Sequence, residues 1–212
     1  MPTFTLHRFF SMGKHKAVFL DRDGTINVEV QYLSQVEDFQ FIPGVPWALK
    51  RLKEAGYLLV VVTNQSGIGR GYYDEAALDS IHNHMHADLA TFGAAIDACY
   101  FCPHHPEHGT GDYRQECGCR KPLPGMLQQA ARDLDIDLAA SFMVGDKLAD
   151  VEAGLAAGCT SLLVLTGYGS EQVNELPEGV RAYPDLLAAA EAILKSGKRD
   201  KACRSGEEIG QS

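Results

Sequence analysis

The stretch Ala17-Val18-Phe19-Leu20-Asp21-Arg22-Asp23-Gly24-Thr25-Ile26-Asn27 runs four apolar residues straight into two aspartates and a glycine. A continuous apolar run that stops this abruptly reads as a strand buried on both faces, hence a parallel one. A second run, residues 57–62, ends in the same way at Thr63-Asn64-Gln65-Ser66-Gly67. Between them, residues 43–55 carry Val45, Leu49 and Leu52 at helical spacing, with Pro43 and Gly44 before and Gly56 after. The three segments make a βαβ unit.

Working outward, Asp74 can cap a helix that places Leu78, Ile81, Met85 and Leu89 on one face, and residues 96–101 read as a third strand. Residues 102–120, rich in Pro, Gly, His and Cys, form a long loop of the kind that is functional or tied down. Helix is expected at 124–134, 149–157 and 184–195, and strand at 141–144 and 161–165. The alternation predicts one α/β domain over residues 15–195, a Rossmann-like parallel sheet with helices on both faces. Residues 1–14, with a second possible start at Met12, are expected to be a flexible arm, and the polar residues 196–212 a disordered tail.

The 212 residues, 45% of them hydrophobic, suffice for one core. A formal charge of -9 repels polyanions and argues against a nucleic-acid partner. No apolar run approaches the ~20 residues of a membrane span or the pattern of a secretory signal, so a cytoplasmic protein is expected. The absence of a spare apolar face points to a monomer.

In open α/β sheets the active crevice lies beyond the carboxyl ends of the strands. Three polar clusters fall at such ends: Asp21 to Thr25, Thr63 to Ser66, and Gly145-Asp146-Lys147 with Asp150 following. Alone, Asp-x-Asp-Gly-Thr is equally a turn or helix cap after a strand. Two carboxylates so close need a compensating cation or proton, and Mg²⁺ fits the role. Asp21, Asp146 and the backbone carbonyl of Asp23 can offer it hard oxygen ligands. Thr63 adds a hydroxyl and Lys121 a point charge, in the order and strand context that phosphoryl transfer needs.

Asp21-Arg22-Asp23-Gly24-Thr25, then Thr63, then Lys121-Pro122, then Gly145-Asp146 with Asp150, resembles the four ordered motifs of the haloacid dehalogenase (HAD) superfamily over residues 15–195. The resemblance implies that Asp21 is the nucleophile, forming an aspartyl-phosphate, and that Asp23 protonates the leaving group and then activates water. It implies that Thr63 and Lys121 hold phosphoryl oxygens; Asn64, Gln65 and Ser66, at the same strand end, are read as phosphate or substrate contacts. Arg120 and Lys147 are read as further phosphate contacts, and Asp150 as a partner of Lys121 rather than a metal ligand.

Cys102 and His104, then Cys117 and Cys119, offer three thiolates and an imidazole in one loop, a set suited to closed, structural Zn²⁺. His105, His108 and Cys99 are possible substitutes, although Cys99 reads as a core thiol. His82, His84 and His86 are read as solvated, too dispersed around a helix to share a metal. A loop clamped just before Arg120-Lys121 would fix both cations.

The stretches 25–42 and 64–120 leave no room for a cap domain, so the pocket is expected to be shaped by loops, with Glu29, Val30, Gln31 and Tyr32 among the substrate contacts. The resemblance narrows to capless superfamily members with a zinc loop. It implies a small phosphorylated sugar as substrate: a heptose 1,7-bisphosphate of lipopolysaccharide core biosynthesis, cleaved at C7. Histidinol phosphate is the alternative, and a non-catalytic zinc-loop binding module the remote one.

Overall fold

In the computed structural model, residues 14–206 are described, with side chains described as far as Ser196. The expected arm, apart from its last residue, and residues 207–212 of the expected tail lie outside that range. Strand β1 (Ala17–Leu20) is buried at every position and sits in the middle of the sheet. β2 (Leu58–Asn64) and β3 (Ala98–Cys102) lie to one side; β4 (Phe142–Gly145), β5 (Thr160–Val164) and β6 (Arg181–Tyr183) lie to the other. All five pairings are parallel.

Successive side chains of a strand face opposite ways, and the two cores follow that alternation. Val18, Leu20, Leu59, Val61, Val144 and Val164 meet α1 (Val45–Glu54), α3 (Glu75–Thr91) and α7 (Leu186–Gly206). Ala17, Phe19, Val60, Val62 and Met143 meet α4 (Gly125–Asp133) and α5 (Leu148–Ala157) on the other face. The chain runs β1, β2, β3 outward and then returns to the far side of β1 for β4. The direction of winding therefore reverses between β1 and β4, where a doubly wound sheet opens its crevice. The first residue beyond β1 is tied across that seam, Asp21 N–H donating to Val144 O at 3.0 Å.

The expected sheet is present with three differences. β6 was not expected: its three residues form a half-exposed edge with no apolar run to betray it. Two single-turn helices, α2 (Ser66–Gly69) and α6 (Gly169–Gln172), were not expected. α7 continues to Gly206 instead of stopping at Lys195, because nothing after Lys195 breaks a helix until Gly206 except the tolerated Gly197. Between Gly24 and α1 stands loop with one 3₁₀ turn, Val36–Asp38, so the domain is capless. No helix among the described residues is long and apolar enough to cross a membrane.

β1 begins at a polar anchor. Ala17 N–H donates to Ser141 Oγ at 2.9 Å, and that hydroxyl donates to Asp137 O at 2.5 Å. Ser141 is 1% exposed, so water cannot take its place. Ser141→Ala is expected to strand the Ala17 amide and lower stability by about 1–3 kcal/mol, measured by urea denaturation, with turnover at the distant strand ends unchanged.

Candidate active site

The crevice is a cavity of about 560 Å³ at the carboxyl ends of β1, β2 and β4. The chain leaves β1 in a tight turn in which Arg22 O accepts from the amides of Thr25, Ile26 and Asn27. Gly24 takes φ +80° there, and a Cβ on it would overlap the Asp146 carboxylate; a Cβ on Gly167, at φ +54°, would meet the same carboxylate oxygen. Asp146 is thus walled by backbone and is fully buried.

Asp21, 5% exposed, directs Oδ1 to its own neighbour's amide (Arg22 N, 2.8 Å) and to Lys121 Nζ at 2.9 Å. Lys121 also pairs with Asp150 Oδ1 at 2.5 Å and donates to Val62 O at 2.7 Å. Burial opposes its charge, but Asp150 and Asp21 more than offset that and raise its pKa. Asp150 is the partner of Lys121 that the spacing suggested, and its second oxygen accepts from Lys147 N at 3.0 Å.

The Asp23 carboxylate has its own cation. Arg22, with no exposed side-chain surface, grips it through Nε at 3.1 Å and Nη2 at 2.7 Å; Asn27 Nδ2 adds a bond at 3.0 Å and Gln65 Nε2 another at 3.0 Å. Burial would raise the carboxyl, and the guanidinium with these donors overrides it and holds the group below the usual carboxylate range. Repulsion between Asp21 and Asp23 is therefore relieved by two protein cations, not by a metal alone as the spacing suggested. With the Asp23 side chain so engaged, its main chain is what it could offer a cation.

Asp146 is left short of charge. Tyr168 N donates to its Oδ2 at 2.9 Å, while the buried Oδ1 has no hydrogen-bond partner. Burial, then the neighbouring Asp21, pushes its pKa up to about 8, and burial with Asp21 pushes Asp150 to about 6. Asp21, Asp146 and Asp150 bring oxygens within 4.8 Å of one another. Because Asp150 is committed to Lys121, the pair open to a hard cation is Asp21 and Asp146, and the orphaned Oδ1 fits it.

Around this centre, Thr63, Asn64, Gln65, Ser66, Arg120, Lys121 and Lys147 all line the cavity. Asn64 braces Lys121, donating to its carbonyl at 3.0 Å and accepting from its amide at 3.1 Å. Arg120 Nη1 donates to His104 O at 3.2 Å. Lys147 meets Glu29 Oε2 at 3.3 Å and stands over the Tyr168 ring. Glu29, Gln31 and Tyr32 reach the cavity, whereas Val30 lies in a neighbouring groove with Val28. Arg22, Asn27, Tyr73 and Tyr168 were not singled out from sequence. For Arg22 the signal was its place between two aspartates; for the others there was none.

In the loop, the sulfurs of Cys102, Cys117 and Cys119 lie 3.2–3.5 Å apart, and His104 Nδ1 is 3.5 Å from Cys119 and 3.7 Å from Cys102. This cluster could hold a metal. His105 Nδ1 is spent on accepting from the amides of Glu107 and His108, and Cys99 packs against the first core near His86. His82 differs from expectation: it is 8% exposed, its Nε2 lacks a partner, and burial lowers its pKa to about 4.

Residues 118–190 match the HAD-hydrolase-like family model. The chain is 56% identical, over 74% of its length and 86% of the relative's, to the D-glycero-beta-D-manno-heptose-1,7-bisphosphate 7-phosphatase of Haemophilus ducreyi. With the protein of that name from Escherichia coli K12 it shares 51% identity, over 71% of this chain and 80% of that one. The chain belongs to the HAD-like hydrolases. A solved D,D-heptose 1.7-bisphosphate phosphatase from B. bronchiseptica, complexed with magnesium and phosphate, superimposes with a TM-score of 0.78 at 42% identity, covering 85% of this chain and 99% of that one.

In a HAD-like hydrolase with this acidic centre, proton and cation compete for one place. The Asp146 and Asp150 carboxyls have pKa values raised above the unfolded value, so without metal the fold binds extra protons and loses stability as pH rises from about 4 to about 8. Added Mg²⁺ is accordingly expected to raise the thermal midpoint more at pH 8 than at pH 5.5, which calorimetry at the two pH values would measure. Equal shifts would contradict Asp146 as a ligand.

Proposed function

We propose that this chain removes the C7 phosphate from D-glycero-D-manno-heptose 1,7-bisphosphate through an aspartyl-phosphate on Asp21, leaving heptose 1-phosphate. It is a phosphoric monoester hydrolase of the HAD type. The observation that carries the reading is the division of labour at the end of β1: Asp21 is held by Lys121 and Asp23 separately by Arg22. One carboxylate can then attack while the other handles protons.

Lys121 and the Arg22 amide both hold Asp21 Oδ1, which fixes the carboxylate for attack on phosphorus. As that bond forms, the bond from phosphorus to the C7 oxygen breaks, and Asp23 gives its proton to the departing oxygen. The incoming phosphate brings negative charge beside Asp23, the direction that favours the protonated form needed for this step. Asp23 then takes a proton from water, whose oxygen attacks phosphorus and releases inorganic phosphate and the Asp21 carboxylate. Thr63 and Lys121 line the space for the phosphoryl oxygens. Asp21, Asp146 and the Asp23 carbonyl would hold Mg²⁺, which would supply the positive charge that offsets repulsion between substrate and the anionic nucleophile.

Arg120 and Lys147 line the same cavity as the acidic centre, with Glu29, Gln31 and Tyr32. We assign the remaining phosphate to Arg120 and Lys147, and sugar hydroxyls to Glu29, Gln31 and Tyr32. Cys102, His104, Cys117 and Cys119 are assigned to Zn²⁺, a closed four-ligand set that orders the loop and sets Arg120 above the cavity.

Asp21→Asn is expected to abolish turnover with the fold intact, and phosphorus NMR of the wild-type product should show the anomeric phosphate retained. Loss of the anomeric phosphate first, or a higher kcat/KM for histidinol phosphate, would overturn the substrate assignment. For the loop, gentle chelation should remove activity that Mg²⁺ alone restores, with zinc still bound by metal analysis. Cys117→Ser should lower both zinc content and thermal midpoint.

A further inference from the structure

Gln65 is the best-connected side chain in the crevice, and its connections lead away from substrate. It is 2% exposed. Its Nε2 donates to Asp23 Oδ2 at 3.0 Å and to Thr63 Oγ1 at 2.8 Å; its Oε1 accepts from Tyr73 OH at 2.5 Å and, more weakly, from Arg22 Nη2 at 3.4 Å. A primary amide has two donor hydrogens and two acceptor lone pairs, so every hydrogen-bonding position of Gln65 is filled by protein. Nothing is left for a ligand, although the strand-end position had suggested substrate contact.

An amide is nearly symmetric in shape, and its partners decide which end faces which way. Turned over, Gln65 would set a carbonyl oxygen against the Asp23 carboxylate. Arg22, which can only donate, opposes this, and the short bond from Tyr73 holds Oε1 on the far side. Tyr73 is itself seated by shape, since a Cβ at Gly67 would overlap its ring. Its hydroxyl, which burial pushes up to about 12, carries the proton that the bond to Oε1 uses. Without that hydroxyl, Oε1 would keep the 3.4 Å contact to Arg22 and draw toward it, taking Nε2 from Asp23 and disturbing the guanidinium that grips the same carboxylate.

We propose that Tyr73 is a positioning residue for Asp23, acting through the side-chain amide of Gln65. The proposal rests on the reading of Asp23 as the proton-transfer group. Tyr73 also lines the cavity, so the alternative is direct contact with substrate, and the two roles separate in kinetics.

Steady-state kinetics of the full chain with Mg²⁺ and the heptose bisphosphate, for Tyr73→Phe, Gln65→Met and the double variant, decides between them, with thermal melts to show that each is folded. Tyr73→Phe keeps the ring and loses the hydroxyl. It should lower kcat about tenfold while KM stays within about twofold, as expected for a misplaced proton-transfer group. Gln65→Met tests the same link from its other end and should lower kcat at least as far; the double variant should be no worse than Gln65→Met alone. Wild-type kcat in Tyr73→Phe, a raised KM with kcat unchanged, or a double variant showing the product of the two single losses would overturn the proposal. Asp23→Asn is the control for the underlying reading: it should cost about 10²-fold or more. If Asp23→Asn turns over at the wild-type rate, the proton-transfer assignment fails and this proposal with it.

Discussion

A lysine ammonium with almost no access to water is the constraint around which the site is arranged. Lys121 has a side-chain exposure of 2% and faces two carboxylates and a carbonyl. Burying such a charge is costly unless every donor finds a partner. The partners come from β1, β2 and α5, so the ion network closes only when the sheet has assembled around its reversal point. Asn64 holds the backbone on both sides of the lysine carbonyl and amide, across 57 residues of sequence. The nucleophile's orientation is in this sense a product of the whole fold.

The same centre shows how protein charge and metal charge divide their tasks. Asp21 and Asp23 are each in contact with a buried cation, whereas Asp146 has none in contact and burial with Asp21 disfavours its charged form. A site that balanced all its carboxylates internally would bind no metal. One that balanced none would leave the nucleophile and the proton-transfer group competing for the same ion.

Much of this was legible in the chain. The buried strands β1 and β2 announce themselves because a strand covered on both faces must be continuously apolar, and the acidic and hydroxyl residues stand where those runs stop. The Cys102, His104, Cys117 and Cys119 set was readable because four soft ligands gather in one loop. β6 was not, since a three-residue edge strand has no pattern long enough to register. His82 had a signal that went unused: it lies four residues after Leu78 and three before Met85, on the same buried face of α3. Gln65 was opaque for a different reason. Its partners are set by side-chain geometry, and a polar residue beside a motif reads as a ligand contact until its hydrogen bonds are counted.

The backbone wall around Asp146 divides the crevice into two sides of different tolerance to substitution. Gly24 and Gly167 leave no volume for a single methyl group beside that carboxylate. A side chain added there displaces the carboxylate before it does anything else. On the rim, Gln31 and Tyr32 are exposed and Glu29 and Lys147 partly so. A substitution there changes what the crevice touches at its mouth while the acidic centre keeps its shape.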